Sequence, residues 1–191
     1  MPFQRASGIL LHPTSLPGPF GMGDIGPMAY EFVDFLAETG QQMWQILPIG
    51  PTGHGNSPYM SYSAMAGNHM LISLEHLRDV GLLTQADLEA FPHFPEDAVD
   101  YGRVLPAKLQ LLEKAAEAFS ASTDKETRTQ YEQFCQERAF WLDDYAFFMA
   151  LKKANGGASW SQWEPALARR EAPAMARSEE RRVGKECRSR W

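Results

Sequence analysis

At 191 residues, with 44% hydrophobic and 22% charged residues, the chain has the composition of a soluble globular protein with a sizeable core. The formal charge of −6 argues against nucleic acid as a partner, and no apolar run is long enough to span a bilayer. The two cysteines, Cys135 and Cys187, form no metal-spaced pair, so we expect free thiols in a reducing compartment, the cytoplasm.

The first part of the chain predicts a strand, a helix and a second strand. A continuous apolar run over residues 7–11 indicates a short buried strand. Pro27 suits the first turn of a helix over residues 28–39, and Gly40 suits its end. A second strand follows over residues 43–47. Such a βαβ unit predicts parallel pairing of the two strands.

The loops that follow these two strands, at 12–26 and 48–71, are long and rich in glycine. The loop at the opposite end, residues 41–42, is minimal. Ligands of barrels built from βαβ units bind above the carboxyl ends of the strands. The asymmetry in loop length therefore predicts that the functional face lies at this end.

The loop over residues 50–71, hereafter the 50–71 loop, is the strongest candidate site. Ser57 and Tyr59 lie at its centre, among glycines and prolines that favour an irregular backbone. A tyrosine ring can cover the apolar face of a pyranose while hydroxyl groups bind the sugar hydroxyls. The alternative interpretation is an ordered loop whose aromatic residues pack on their own scaffold.

From Leu74 onwards the apolar residues recur at helical spacing. The predicted helices lie near 75–80, after Thr84, from Pro106 onwards and over 128–154, with an extended linker at 91–99. No third strand appears among them. We therefore interpret residues 74–157 as a helical inserted subdomain and residues 158–176 as a return segment.

Several polar residues invite a catalytic interpretation that the pattern does not favour. Asp143 and Asp144 are adjacent on a helix and point about 100° apart, so they cannot flank one bond, and we expect a solvated face. His12 is interpreted as a hydrogen-bonded structural histidine, and Asp24 as an anchor for backbone N–H groups. We predict no metal site.

The last segment, residues 177–191, differs in composition from the rest. It has six basic and three acidic residues and little apolar surface to bury, so disorder is expected. The abrupt change indicates an artefactual or disordered tail.

Several motifs occur together, in order. They are SGILLHPTSLP at 7–17, GMGDIG at 21–26, WQILPIGPTG at 44–53, NSPY at 56–59 and AGN at 66–68. With this spacing, the chain from about residue 5 to 170 resembles the N-terminal part of the 4-α-glucanotransferases. These are the amylomaltases, or disproportionating enzymes, of the clan related to α-amylases. The tail from about residue 177 does not share the resemblance.

The resemblance implies an α/β fold, namely the N-terminal part of a (β/α)8 TIM barrel whose first two strands lie within residues 1–73. It also implies an enzyme that transfers a segment of a 1,4-α-glucan to the 4-hydroxyl of glucose or another glucan, with retention and without a cofactor. Retention needs two carboxyl groups about 5 Å apart. In the family they lie on later strands, so no catalytic residue is assigned. Ser57 and Tyr59 match residues that line glucose-binding subsites.

Three functional hypotheses remain open. The chain is a fragment of a glucanotransferase, a non-catalytic carbohydrate-binding module, or a helical interaction domain built on residues 74–155. Two of eight strands cannot close a barrel, and open strand edges favour aggregation. We therefore expect the chain alone to lack transferase activity and to fold poorly.

Overall fold

The computed structural model describes residues 5–95 and 97–185, and its first elements are the predicted βαβ unit. Strand β1 is Gly8–Leu10, helix α1 is Pro27–Glu38 and strand β2 is Met43–Gln45. The two strands pair in parallel, with Ile9 opposite Trp44. The predicted parallel pairing is confirmed, although each strand is shorter than the apolar run that predicts it.

The turn that joins α1 to β2 is fixed by glycine. Gly40 has φ +71°, a left-handed conformation that glycine adopts without a Cβ penalty. Its N–H donates to the Ala37 carbonyl at 3.1 Å, and the Gln41 N–H donates to the Leu36 carbonyl at 2.8 Å. This pair of bonds is a Schellman motif, which ends the helix and returns the chain to the sheet within two residues.

Helices account for most of the remaining described chain. They are α2 (Leu74–Asp79), α3 (Gln85–Glu89), α4 (Tyr101–Ala121), α5 (Lys125–Ala154), α6 (Pro165–Ala168) and α7 (Ala172–Lys185). The helix predicted after Thr84 is α3, and it begins with a capping box formed by Thr84 and Asp87.

Two helices begin earlier than the sequence predicts. Helix α4 begins at Tyr101 because the Asp100 carboxylate accepts the Arg103 N–H at 3.2 Å, which leaves Pro106 in the second turn rather than the first. Helix α5 begins at Lys125 because Asp124 accepts the backbone N–H groups of its first turn. In both cases an aspartate cap, and not the proline or the polar break, sets the helix start.

Residues up to Phe119 form one compact unit, whose core lies beside the sheet rather than on it. Two clusters of buried side chains build this core. The first contains Phe20, Leu74, Leu83, Leu88 and Ala115, and the second contains Met22, Met70, Phe94 and Val104. The core clusters do not cover the strands completely, since Leu10 in β1 and Met43 in β2 are 56% and 54% exposed.

Residues from Ser120 onwards form the second compact unit, whose core consists of Phe147, Leu151 and Trp163. Helix α7 runs through the boundary expected at 176–177 without a break. The expectation of disorder from 177 therefore differs from the structure, in which residues 177–185 continue a helix. The rest of the predicted tail, 186–191, lies outside the described residues.

No described helix is long and apolar enough to cross a membrane. Cys135 is a free thiol, as expected, whereas Cys187 lies outside the described residues.

Candidate functional site

The two glycine-rich loops meet at one end of the sheet. Because β1 and β2 are parallel, both loops leave from the same edge. The Ile25 N–H, at the end of the first loop, donates to the Leu71 carbonyl, at the end of the second, at 3.0 Å. The Trp44 indole donates to the Leu11 carbonyl at 2.8 Å and fixes the exit of β1. The prediction that both loops lie on one face is confirmed.

The 50–71 loop begins as a narrow, hydrogen-bonded hairpin. Thr52 and Ser61 form an antiparallel bridge, and the Gly53 N–H donates to the Met60 carbonyl at 2.6 Å. A Cβ on Gly53 would lie 2.7 Å from that carbonyl oxygen, so only glycine allows the two sides to approach so closely. The hairpin therefore has a fixed base from which its tip projects.

Ser57 and Tyr59 form that tip. The Tyr59 N–H donates to Ser57 Oγ at 3.3 Å, and the Met60 N–H donates to the Ser57 carbonyl at 3.0 Å. These two bonds form a tight turn that holds the two side chains next to each other. Ser57 is half-buried, whereas Tyr59 is 71% exposed. The Tyr59 ring therefore does not pack on its own scaffold, which was the alternative interpretation.

The second half of the 50–71 loop is held by polar side chains. Ser63 Oγ accepts the backbone N–H groups of Met65 and Ala66, both at 3.1 Å. The Asn68 N–H donates to the Ile49 carbonyl at 2.8 Å, and Asn68 Oδ1 accepts the Met70 N–H at 3.0 Å. The loop is thus held by its own hydrogen bonds and by burial of Met70 and Leu71 at its end.

His12 follows β1 on the same face and has a structural role, as predicted. Its Nδ1 accepts the Thr14 N–H at 3.3 Å and lies 2.7 Å from the Thr14 hydroxyl. Burial lowers the pKa of this imidazole, which opposes its use as a charged group at neutral pH. His12 therefore caps the turn that starts the first loop.

Asp24 has a partner that the sequence analysis missed. Its Oδ2 accepts from Lys108 Nζ at 2.9 Å, and the Lys108 side chain has no exposed surface. Burial raises the pKa of Asp24 and lowers that of Lys108, while their mutual attraction opposes both shifts. Lys108 lies four residues after the buried Val104, on the same face of α4. A lysine on the apolar face of a helix is the feature of the sequence that could have indicated a buried ion pair.

Asp143 and Asp144 are both exposed, which confirms the predicted solvated face. Asp144 forms an ion pair with Arg170. The described residues contain no group of three or more His, Cys, Asp or Glu side chains that could hold a metal ion.

Comparison with known proteins assigns the family. The 4-alpha-glucanotransferase family matches residues 11–188 of the chain. The chain is 48% identical over 172 residues to the 4-alpha-glucanotransferase of Synechocystis, and the match covers 90% of this chain and 34% of that protein. It is 46% identical to the 4-alpha-glucanotransferase of Thermus thermophilus, with 92% and 34% covered.

A solved structure agrees with these relatives. The amylomaltase of Streptococcus agalactiae, determined in complex with acarbose, has a TM-score of 0.87 and 40% identity to the chain. The match covers 95% of this chain and 36% of that one. The chain belongs to the 4-alpha-glucanotransferase family and spans about a third of the length of these relatives. The family match extends to residue 188, so the expectation that the likeness ends near 170 was wrong.

Proposed function

We propose that this chain functions in the transfer of 1,4-α-glucan segments to the 4-hydroxyl of glucose or another glucan, with retention. Its own contribution is to bind a maltooligosaccharide at Ser57 and Tyr59. The observation that carries the proposal is the tip of the 50–71 loop, where an exposed tyrosine ring stands beside a serine hydroxyl. The ring offers an apolar surface to a pyranose, and the hydroxyl can donate to a sugar oxygen.

The order of the 50–71 loop supports this function. A loop held by the Gly53–Met60 and Asn68–Ile49 hydrogen bonds loses little conformational freedom when a ligand binds. Family membership supports this class of ligand, since the relatives are 4-alpha-glucanotransferases and a neighbouring structure was solved with acarbose.

The proposal includes the architecture and the compartment. The βαβ unit is assigned to the first two strands of a (β/α)8 barrel, residues 74–157 to a helical insertion and residues 158–176 to a return segment. The cytoplasm is the proposed compartment. The carboxyl groups that cleave the glucan are assigned to later strands of the family fold. The chain alone is therefore expected to bind glucan without transferring it.

The test is glucan binding to the chain by isothermal titration with maltoheptaose. Tyr59→Ala removes the ring and is expected to weaken binding about tenfold, because stacking on an aromatic ring contributes roughly 1 to 2 kcal/mol. Tyr30→Ala is the matched control, since Tyr30 is also an exposed tyrosine but lies on α1. Equal binding by the chain and by Tyr59→Ala would contradict the proposed site.

Incubation of the same protein with maltotriose tests whether the chain that binds glucan also transfers it. We expect the maltotriose to remain unchanged over hours. Release of glucose together with longer maltooligosaccharides would contradict the assignment of the catalytic carboxyl groups to later strands.

A further inference from the structure

A groove of about 200 Å³ lies in the second compact unit, far in sequence from the 50–71 loop. Its floor consists of core side chains, and its rim contains an indole and an ion pair. The floor includes Phe147, Leu151 and Trp163, and the rim includes Trp160, Asp144 and Arg170. Neither the family assignment nor the proposed function gives this groove a role.

Arg170 occupies a backbone conformation that glycine would adopt with less strain. Arg170 has φ +56° and directly follows the last capping residue of α6, a position where glycine is strongly preferred. Its N–H donates to the Leu167 carbonyl, and the Glu171 N–H donates to the Ala166 carbonyl, as in the Schellman motif that Gly40 forms after α1. An arginine there is strained relative to glycine, and its guanidinium reaches Asp144 on α5.

Trp160 provides the apolar part of the rim. Its side chain is 57% exposed, whereas the neighbouring Trp163 is buried and donates its indole N–H to the Ala158 carbonyl at 3.2 Å. The two tryptophans are only three residues apart, yet one side chain is exposed and the other is buried. Trp163 belongs to the core, and Trp160 presents its ring at the edge of the groove.

The charges on the rim of the groove favour a neutral polyol as the ligand. The Asp144 and Arg170 charges neutralise each other, so a charged ligand would have to break their ion pair. A neutral polyol can donate to the carboxylate and accept from the guanidinium while the pair stays intact. Phe147, Leu151 and Trp163 in the floor are buried and the other apolar lining residues are half-buried, so Trp160 provides most of the exposed apolar surface, which is small for a protein partner.

We propose that this groove is a second binding site for α-1,4-glucan, in which one glucose unit stacks on Trp160 and hydrogen-bonds to Asp144 and Arg170. The inference rests on the proposed function for its ligand class. It does not depend on Ser57 or Tyr59, since the groove lies entirely within the second unit. Its role is to hold a distant part of a glucan chain on the protein.

The test follows the Trp160 indole N–H signal by NMR during titration with maltohexaose, with the signal assigned by its loss in Trp160→Phe. The Trp160 signal is expected to shift with saturation. Arg170→Gly relieves the positive φ and so should keep or raise the melting temperature, yet it should weaken this titration about tenfold through the lost charged hydrogen bond. Arg169→Ala is the matched control and should titrate like the parent chain.

The outcomes separate this inference from the proposed function. If the Trp160 signal does not move, or if Arg170→Gly titrates like the parent, the second site is refuted while Tyr59-dependent binding stands on its own. If the Trp160 signal shifts equally in the parent and in Tyr59→Ala, and the calorimetric binding of both is also equal, the second site stands and the Tyr59 site is refuted. Equal weakening by Phe134→Ala, an exposed aromatic on α5 that lies ten residues before Asp144, would show non-specific binding and overturn the inference.

Discussion

The loops after β1 and β2 have similar compositions and leave the same end of the sheet, yet they differ in how far their aromatic side chains are buried. The first loop, residues 12–26, buries Leu16, Phe20 and Met22 in the core of the first unit. The second, the 50–71 loop, leaves Tyr59 exposed, is held by its own backbone and serine hydroxyl groups, and reaches the core only at its end, through Met70. A glycine-rich loop can thus either bury its aromatic residue in a core or leave it exposed.

Phe20→Ala is expected to have the largest effect, because it breaks the core role of the first loop. The ring packs in the cluster with Leu74, Leu83 and Leu88 and makes an edge-to-face contact with Phe91 at 5.4 Å. Its removal should lower the free energy of unfolding by about 4 kcal/mol. Urea denaturation measures this, with Tyr59→Ala as the comparison. An equal loss in both variants would contradict the division between the two loops.

Lys108→Met should have the next largest effect. It leaves the Asp24 carboxylate buried without its partner, and loss of one member of a buried pair costs about 3 kcal/mol. The double variant with Asp24→Asn should recover much of the loss, because no unpaired charge remains. A urea-based double-mutant cycle tests this. Additive losses would show that the pair does not hold the first loop against α4.

A smaller effect is expected from pH, and it involves both loops. Burial lowers the pKa of His12, at the start of the first loop, and of His69, near the end of the second. A folded-state pKa below the unfolded value of about 6.5 gives stability that is present above that pH and is lost as the pH falls through the folded value. The urea concentration at the midpoint of unfolding should therefore decrease as the pH is lowered from 7.5 to 5.5.

The control for this pH effect is His12→Gln, which keeps a hydrogen-bond acceptor near Thr14 but cannot titrate. Its urea midpoint should depend less on pH than that of the parent. The same pH dependence in both proteins would show that His12 does not contribute.

The βαβ unit could be predicted because its signals are local. The apolar runs, Pro27 and Gly40 each specify one feature, and the structure has all of them. The start of α4 differs from the prediction because the Asp100 cap, and not Pro106, begins the helix. The Asp24–Lys108 pair joins residues 84 positions apart, a distance that no local pattern spans.

The candidate site was predictable in part for the same reason. The position of Ser57 and Tyr59 in a loop after β2 follows from the strand and the turn residues. The exposure of Tyr59 could not be predicted in this way, because the first loop has a similar composition and yet buries its aromatic residue, Phe20. The core clusters take in Phe20 and Met22 of the first loop but only the end of the second, at Met70, so Tyr59 stays outside them.

The most direct test of the central claim is an NMR titration of the uniformly 15N-labelled chain with maltoheptaose, with backbone shifts mapped by residue. The account predicts saturable shifts at residues 53–62 around the Ser57–Tyr59 turn, with residues 16–22 of the first loop unmoved. Saturable shifts in the first loop, with residues 53–62 unmoved, would contradict it.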